Sequence, residues 1–222
     1  PSAAFRDGVP ASPDEVGAPI RALIDKAGIR TDRVVVGAGG QNVTVREVRV
    51  PPMTTTELTA AVRYEAERYL PYNVQDVHMD YQVMGESSED GRKMLDVIVV
   101  ATRRDVVQRL VETVQAARLQ AVIMDVESFA LFRSLVGNGT EARTVVYIDL
   151  GAEASDIVIT EGKRLRLTRN IPIGGNTLIH ALQETLSVDA ATAKTMLEER
   201  GEILDENVIP DDLTVQRIHD TI

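Results

Sequence analysis

The sequence predicts an α/β protein of more than one subdomain, and three observations carry that expectation. Helical and β-type hydrophobic periods alternate along the chain. A helix, two strands and a second helix form a block between Pro52 and Arg118, bracketed by segments of different character. After Val145, three short strands follow one another and lead into helices.

Composition narrows the function classes. With 222 residues, 44% of them hydrophobic and 26% charged, the chain can bury a substantial core. A net charge of −10, with no run of basic residues longer than two, argues against a general nucleic-acid or anionic-membrane surface. The three histidines (His78, His180 and His219) lie far apart and there is no cysteine, so metal-ligand spacing and a disulfide framework are both absent. No apolar run reaches the ~18 residues that would span a bilayer, and no secretory signal pattern is seen. A cytoplasmic location is expected. The chain opens on Pro1 rather than Met, which reads as a fragment.

Residues 12–28 read as a helix, with Ser12 as N-cap and Pro13 at the first helical position. Val16, Ile20, Leu23, Ile24 and Ala27 share a face, and Gly28 ends it. Val34–Val36 and Val43–Val50 are β-rich runs, and Pro51-Pro52 closes them. The glycines of "VVVGAGG" resemble a phosphate loop, but the run lacks a Gly-Lys-Ser/Thr ending and a second strand follows it. Without a helix N-terminus the anion-binding logic fails, and the run is read as a structural turn.

Thr54–Leu70 is the next helix, capped by Thr54 or Thr55, with Leu58, Ala61, Val62, Glu65, Ala66 and Tyr69 in helical period. Residues 77–83 alternate as a half-buried strand, "GESSEDGR" reads as a polar hairpin loop, and residues 94–102 are apolar enough for a central strand. Such a two-stranded element is marginal alone and must pack on helices. Residues 103–118 form a helix with Val106, Val107, Leu110, Val114 and Ala117 inward. Residues 121–135 give a buried strand and then a helix, and Gly137-Asn138-Gly139 is a break. Strands follow at Val145–Asp149, Asp156–Thr160 and Arg164–Arg169, with Glu161-Gly162-Lys163 as a tight turn. A helix capped at Asn176 or Thr177 comes next, then one capped by Asp189 and ended by Gly201.

The candidate site lies at the tip of the first of these hairpins. Asp149 ends an apolar strand, Gly151 permits a tight turn, and Ala152, Glu153, Ala154 and Ser155 are small or polar. Such a tip aims backbone N–H groups and a hydroxyl at phosphate oxygens, and Asp149 suits the waters of a Mg²⁺ ion, which needs few carboxylates. Spacing alone favours a plain hairpin, because Asp-x-Gly is common turn chemistry. Downstream, Gly174 and Gly175 open a helix whose free N–H groups favour an anion; structurally, the pair gives only a sharp corner.

These residues carry a resemblance. "YIDLGAEASDIVI" and "LRLTRNIPIGGNTLIHALQETLSV" resemble the second phosphate-binding hairpin of actin-like ATPases and the segment after it. "ELTAAVRYEAERYLPYNVQDVHMDY" and "LQAVIMDVESFALFR" are similar to PilM, an actin-like protein of type IV pilus assembly, over essentially the whole chain. The resemblance implies an actin-like (ribonuclease H-like) two-lobed fold with a small αββα insertion, incomplete here at both termini. Residues 1–51 would begin the first lobe, 52–118 form the insertion, 119–140 return to the first lobe, and 141–222 start the second lobe.

It further implies a cytoplasmic, ATP-binding scaffold at the inner membrane. A groove near the small subdomain would take the N-terminal cytoplasmic peptide of PilN. Other pilus assembly proteins and self-association are also within the family's scope; nucleic acid and direct membrane insertion are not. ATP and Mg²⁺ would be held by Asp149, Gly151, Ala152, Glu153, Ser155, Gly174, Gly175 and Lys194, with Asp149 on the metal side, and no catalytic residue stands out. Ser155 stands where the family has Thr, and Ala154 and Asp156 replace small hydroxyl residues. In the helix before Gly201, Lys194 stands where the family has Glu and Leu197 where it has Lys, so adenosine contacts there would differ. The opposing phosphate hairpin and the C-terminal adenosine segment lie outside this chain, and ATP is expected to bind it weakly. An actin-fold kinase or phosphotransferase acting on a small molecule, or a relative of the division protein FtsA, are the alternatives.

Overall fold

The computed structural model describes residues 4–6, 8–135, 143–201, 217, 218 and 221. The break expected at Gly137-Asn138-Gly139 lies outside them, as does most of the chain after Gly201. The elements run in order as β1 (Phe5–Arg6), β2 (Val9–Pro10), α1 (Pro13–Lys26), β3 (Arg33–Ala38), β4 (Val43–Val50), α2 (Thr55–Ala66), β5 (Val77–Glu89), β6 (Arg92–Arg103), α3 (Arg104–Ala116), β7 (Gln120–Val126), α4 (Glu127–Leu135), β8 (Thr144–Leu150), β9 (Ser155–Glu161), β10 (Arg164–Ile171), α5 (Gly175–Leu186) and α6 (Ala190–Arg200). The chain divides into two compact units. One is Pro1–Tyr147 with Ile157–Asn170; the other is Ile148–Asp156 with Ile171–Ile222.

In the first unit, β3 and β7 pair in parallel. Val34 and Val36 of β3 and Ala121 of β7 turn one face of this pair to α1 and α3, where Ile20, Ile24, Val114, Ala117 and Leu119 complete a core. Gly17, Ile20 and Ile24 lie in line along α1 and face α3. Leu23, expected inward, is turned aside and is 65% exposed. Gly17 is buried because the helices nearly touch there: a Cβ on it would lie 2.6 Å from Ala116 Cβ and 2.9 Å from Ala117 N.

The second sheet of this unit is antiparallel, in the order β4-β6-β5. The expected pair of strands is therefore three, because β4 pairs with β6 along its whole length, from Val43 opposite Thr102 to Val50 opposite Leu95. The polar loop expected after β5 is also corrected. Both strands run on through it as a ladder, Glu89 opposite Arg92, and the turn is only Asp90-Gly91, with φ of 49° and 76°. Positive φ at both central residues is what a tight two-residue hairpin requires, and Asp-Gly supplies it.

The central strand β6 is buried on both faces. Val97 and Val99 meet Val50, Leu58 and Val62 under α2. Ile98 and Val100 turn the other way, to Val45, Phe129, Leu131, Phe132, Tyr147, Val158 and Leu165. Helix α2 begins with a reciprocal cap: Thr54 Oγ1 accepts from Glu57 N–H, and the Thr54 N–H donates to the Glu57 carboxylate at 2.9 Å. The backbone bond from Thr54, then its hydroxyl, holds the Glu57 carboxyl below its usual range. The buried Asp96 ties four strands together: Ser87 Oγ donates to it at 2.7 Å, Arg49 Nε lies 3.3 Å away and Arg164 Nη2 3.5 Å away.

The second unit holds α5 and α6 against each other, with Leu182, Ala193 and Ile218 fully enclosed and Ile179, Leu186 and Met196 around them. Asp189 caps α6 by accepting from Thr192 N–H at 2.9 Å. The cap of α5 is Gly174 rather than Asn176 or Thr177; the Thr177 hydroxyl instead accepts from Gly174 N–H at 3.4 Å.

The Gly17 contact is testable. Gly17→Ala adds about 1 kcal/mol of helix propensity, but overpacking at a close crossing costs about 1–3 kcal/mol. The substituted protein should therefore unfold at lower urea than the parent, with Ala116→Gly restoring part of the loss. A stabilised Gly17→Ala protein would show that the crossing is looser than described.

Candidate functional site

The expected phosphate hairpin forms between β8 and β9, in the second unit. Its turn closes with Gly151 N–H donating to Ala154 O at 3.0 Å. A side chain at Gly151 would bring Cβ within 2.6 Å of that same carbonyl oxygen, so the turn needs glycine for space. Asp149, Gly151, Ala152 and Glu153 are all exposed, whereas Ser155 is buried. The tip amide of Ala152 takes no part in the bonds that close the turn.

The start of α5 meets this hairpin directly. Gly175 N–H donates to Gly151 O at 2.9 Å, and Asn176 N–H donates to Ala152 O at 2.8 Å. A Cβ on Gly174 would lie 2.6 Å from Gly151 O and 2.7 Å from Ala152 O. Its φ of −149° is ordinary extended backbone, so close approach, not conformation, demands glycine here. Gly175 has no such need, its nearest contact being 3.9 Å.

Two expectations are corrected by this geometry. The first N–H groups of α5 are not free for an anion, because the hairpin carbonyls already use them. The Ser155 hydroxyl does not point at a phosphate either; it donates to Ile173 O at 2.5 Å. A hydroxyl has one proton, and this one is committed to holding the hairpin against the entry to α5. Lys194, on α6, is exposed and pairs with Glu198 at 3.7 Å within its own helix.

The described residues contain no cluster of three or more His, Asp or Glu placed to hold a metal ion. Asp149 alone, exposed beside the tip, fits an ion that keeps most of its waters and shares phosphate oxygens. What the hairpin offers an anion is thus concentrated in its tip backbone, and Asp149 can serve only through a cation.

The glycine-rich turn after β3 is filled from within the first unit. A Cβ on Gly39 would fall 1.8 Å from Glu127 Oε2, and one on Gly37 would fall 2.9 Å from Glu127 Cγ. These glycines make room for the carboxylate that opens α4. Sequence reasoning did not find Glu127; the available signal was the alternation Gly37, Gly39 at a strand end, which marks close approach by another group.

Sequence reasoning also named no residues for a groove, and the structure supplies one in the first unit. It has a volume of about 540 Å³ and opens beside β5, the edge strand of the antiparallel sheet. Ile98 and Val100 of β6, Phe129 and Phe132 of α4, and Leu165 line it with apolar surface. Met84 and Met124 add flexible thioethers, which adapt to varied partners. Asp80, Gln82, Asp125 and Arg133 give the polar part of its lining. Arg133 bonds back to Asp125 and so fastens α4 to the end of β7.

The family description "Type IV pilus assembly protein PilM" matches residues 1–210. The chain belongs to the PilM family. Its α/β architecture is the actin-like one. A solved PilM-PilN type IV pilus biogenesis complex is similar at 27% identity and a TM-score of 0.77, over 90% of this chain and 60% of that one. This chain thus spans 60% of the length of that PilM-family relative. More distant likenesses are MreB5 of Spiroplasma citri bound to ADP and the cytoplasmic domain of EpsL from Vibrio cholerae. The first has 12% identity, 92% and 46% coverage and a TM-score of 0.44; the second has 16%, 92% and 79%, and 0.46. No described helix is long and apolar enough to cross a membrane.

The role of Ser155 in this PilM-family chain can be checked. Ser155→Ala removes the bond to the Ile173 carbonyl, which lies on an exposed residue, at a cost of about 0.5–1.5 kcal/mol. A lowered urea midpoint is the expected outcome. Unchanged stability would return the hydroxyl to the role first expected of it.

Proposed function

We propose that the protein is a cytoplasmic, actin-like scaffold of the type IV pilus assembly machinery that takes the N-terminal cytoplasmic peptide of PilN in the groove beside β5. The observation that carries this reading is the groove itself: apolar walls next to an unpaired sheet edge. An extended peptide is held in such a place by main-chain bonds to the edge and by side chains set into the pocket. The similarity to a chain of a PilM-PilN complex supports the choice of partner. The protein would reach the inner membrane through that partner rather than by inserting a segment of its own.

The division into a first lobe, an inserted subdomain and a second lobe is part of this reading. The pairing of β4 with β6 favours starting the insertion at Val43, where its sheet begins.

The groove makes a direct demand. Met84→Ala with Phe132→Ala removes two large side chains from its lining, and should weaken binding of the PilN peptide by about tenfold or more. Calorimetric titration of the intact protein reads this, with the urea midpoint as a check on folding. Unchanged affinity in a folded double variant would place the peptide elsewhere.

A nucleotide is the second ligand of this reading. ATP phosphates would meet the tip amide at Ala152, with Mg²⁺ held through waters on Asp149. The bound ion would neutralise phosphate charge there, while Gly151 and Gly174 keep the backbone close enough to serve. Lys194, paired within α6, is left with no more than a peripheral place. Asp149→Asn should weaken Mg-ATP binding to the intact protein by about tenfold while leaving metal-free ATP binding nearly unchanged. Equal loss in both titrations would remove Asp149 from the metal.

A further inference from the structure

We infer that the groove selects a peptide bearing a Lys or Arg next to its apolar residues, and that Asp80 is the group that reads it. The inference rests on the groove being the peptide site. Three charged side chains line it: Asp80, Asp125 and Arg133. Two of these are spent on each other. Arg133 Nη2 pairs with Asp125 Oδ2, and the other Asp125 oxygen accepts Val126 N–H at 2.8 Å.

Asp80 is different. Its Oδ1 accepts the neighbouring Tyr81 N–H at 2.9 Å, and among the described residues no basic side chain pairs with it. Oδ2 is left to take a donor. The position of this carboxylate matters as much as its charge. Asp80 sits on the edge strand directly opposite Val100, two places from Gln82 opposite Ile98. Directly opposed residues share a sheet face, so the carboxylate stands beside the apolar lining that Val100 and Ile98 provide. A charge at such a boundary attracts a cation more strongly than one in open water. A net charge of −10 on the whole chain draws a cationic peptide towards it.

A charge on an edge strand has a second use, in discouraging edge-to-edge pairing between molecules. The two roles separate cleanly. A guard against aggregation changes solubility and leaves peptide affinity alone, whereas a reader of basic residues changes affinity and its salt dependence.

The test uses the intact protein, a synthetic peptide of the PilN cytoplasmic N-terminus, and the same peptide with each Lys and Arg replaced in turn by Gln. Asp80→Asn should weaken binding about two- to fivefold, and Asp80→Lys by more. One Gln peptide should bind the parent and Asp80→Asn proteins equally, since the removed pair is then already absent. Rising salt should weaken the parent complex more than the Asp80→Asn complex. If Asp80→Asn and Asp80→Lys bind as the parent does while the Met84→Ala/Phe132→Ala protein loses the peptide, the groove stands and this inference falls. If the double variant also binds normally, the groove reading falls and takes this one with it. A peptide segment without Lys or Arg overturns the inference at once.

Discussion

The structure of the first unit depends on one strand whose middle is buried on both faces. Asp96 to Val99 of β6 are buried in succession, so neither the α2 side nor the α4 side can be left open. A strand in that position must also be paired on both edges, and β4 and β5 supply the partners. Its register is fixed by Asp96 as well as by hydrophobicity. A slip of one residue would carry every side chain to the opposite face. It would drive the Asp96 carboxylate into the core of Val62 and Leu58, away from Arg49, Arg164 and Ser87. Leaving the buried Asp96 carboxylate without partners would cost far more than these half-exposed arginines gain by meeting it, so its chief contribution is to exclude the wrong alignment.

The groove follows from this arrangement. Ile98 and Val100 face it because they alternate with Val97 and Val99, which α2 requires. The residue opposite Val100 on the open edge is then necessarily on the groove side, and that residue is Asp80. A polar group on β5 is thus set on the groove side by the packing needs of its neighbour strand.

Local chemistry was legible in the sequence; long-range pairing was not. The cap at Thr54, one of the two threonines the spacing offered, the Asp189 cap and the stop at Gly28, with φ 67°, are decided within a few residues, and the structure has each of them. The partner of β4 lies about fifty residues away in the chain, and no local pattern names it. One indirect clue existed: an apolar run as continuous as residues 94–102 needs neighbours on both edges, and only one had been provided. The β5–β6 ribbon was missed for the opposite reason. Glu86 to Glu89 look like loop residues, but in a ladder the backbone bonds are satisfied by the partner strand whatever the side chains are. The Asp90-Gly91 dipeptide was the stronger signal.

The hairpin shows where sequence reasoning about a site stops. It identified the turn and the glycines that meet there, yet composition cannot say where a proton points. Gly174 is glycine so that α5 can deliver two backbone N–H groups into the carbonyls of residues 151 and 152. Those bonds orient the tip peptides, and a carbonyl held inward turns the next amide outward. The helix entrance therefore acts on any anion at the tip indirectly, by stiffening the backbone that would bind it. Ser155 works in the same direction from the other side, bonding Ile173 just before Gly174. The small and polar residues of this hairpin serve its rigidity first, and preorganised backbone donors hold an anion at lower entropic cost than mobile side chains do.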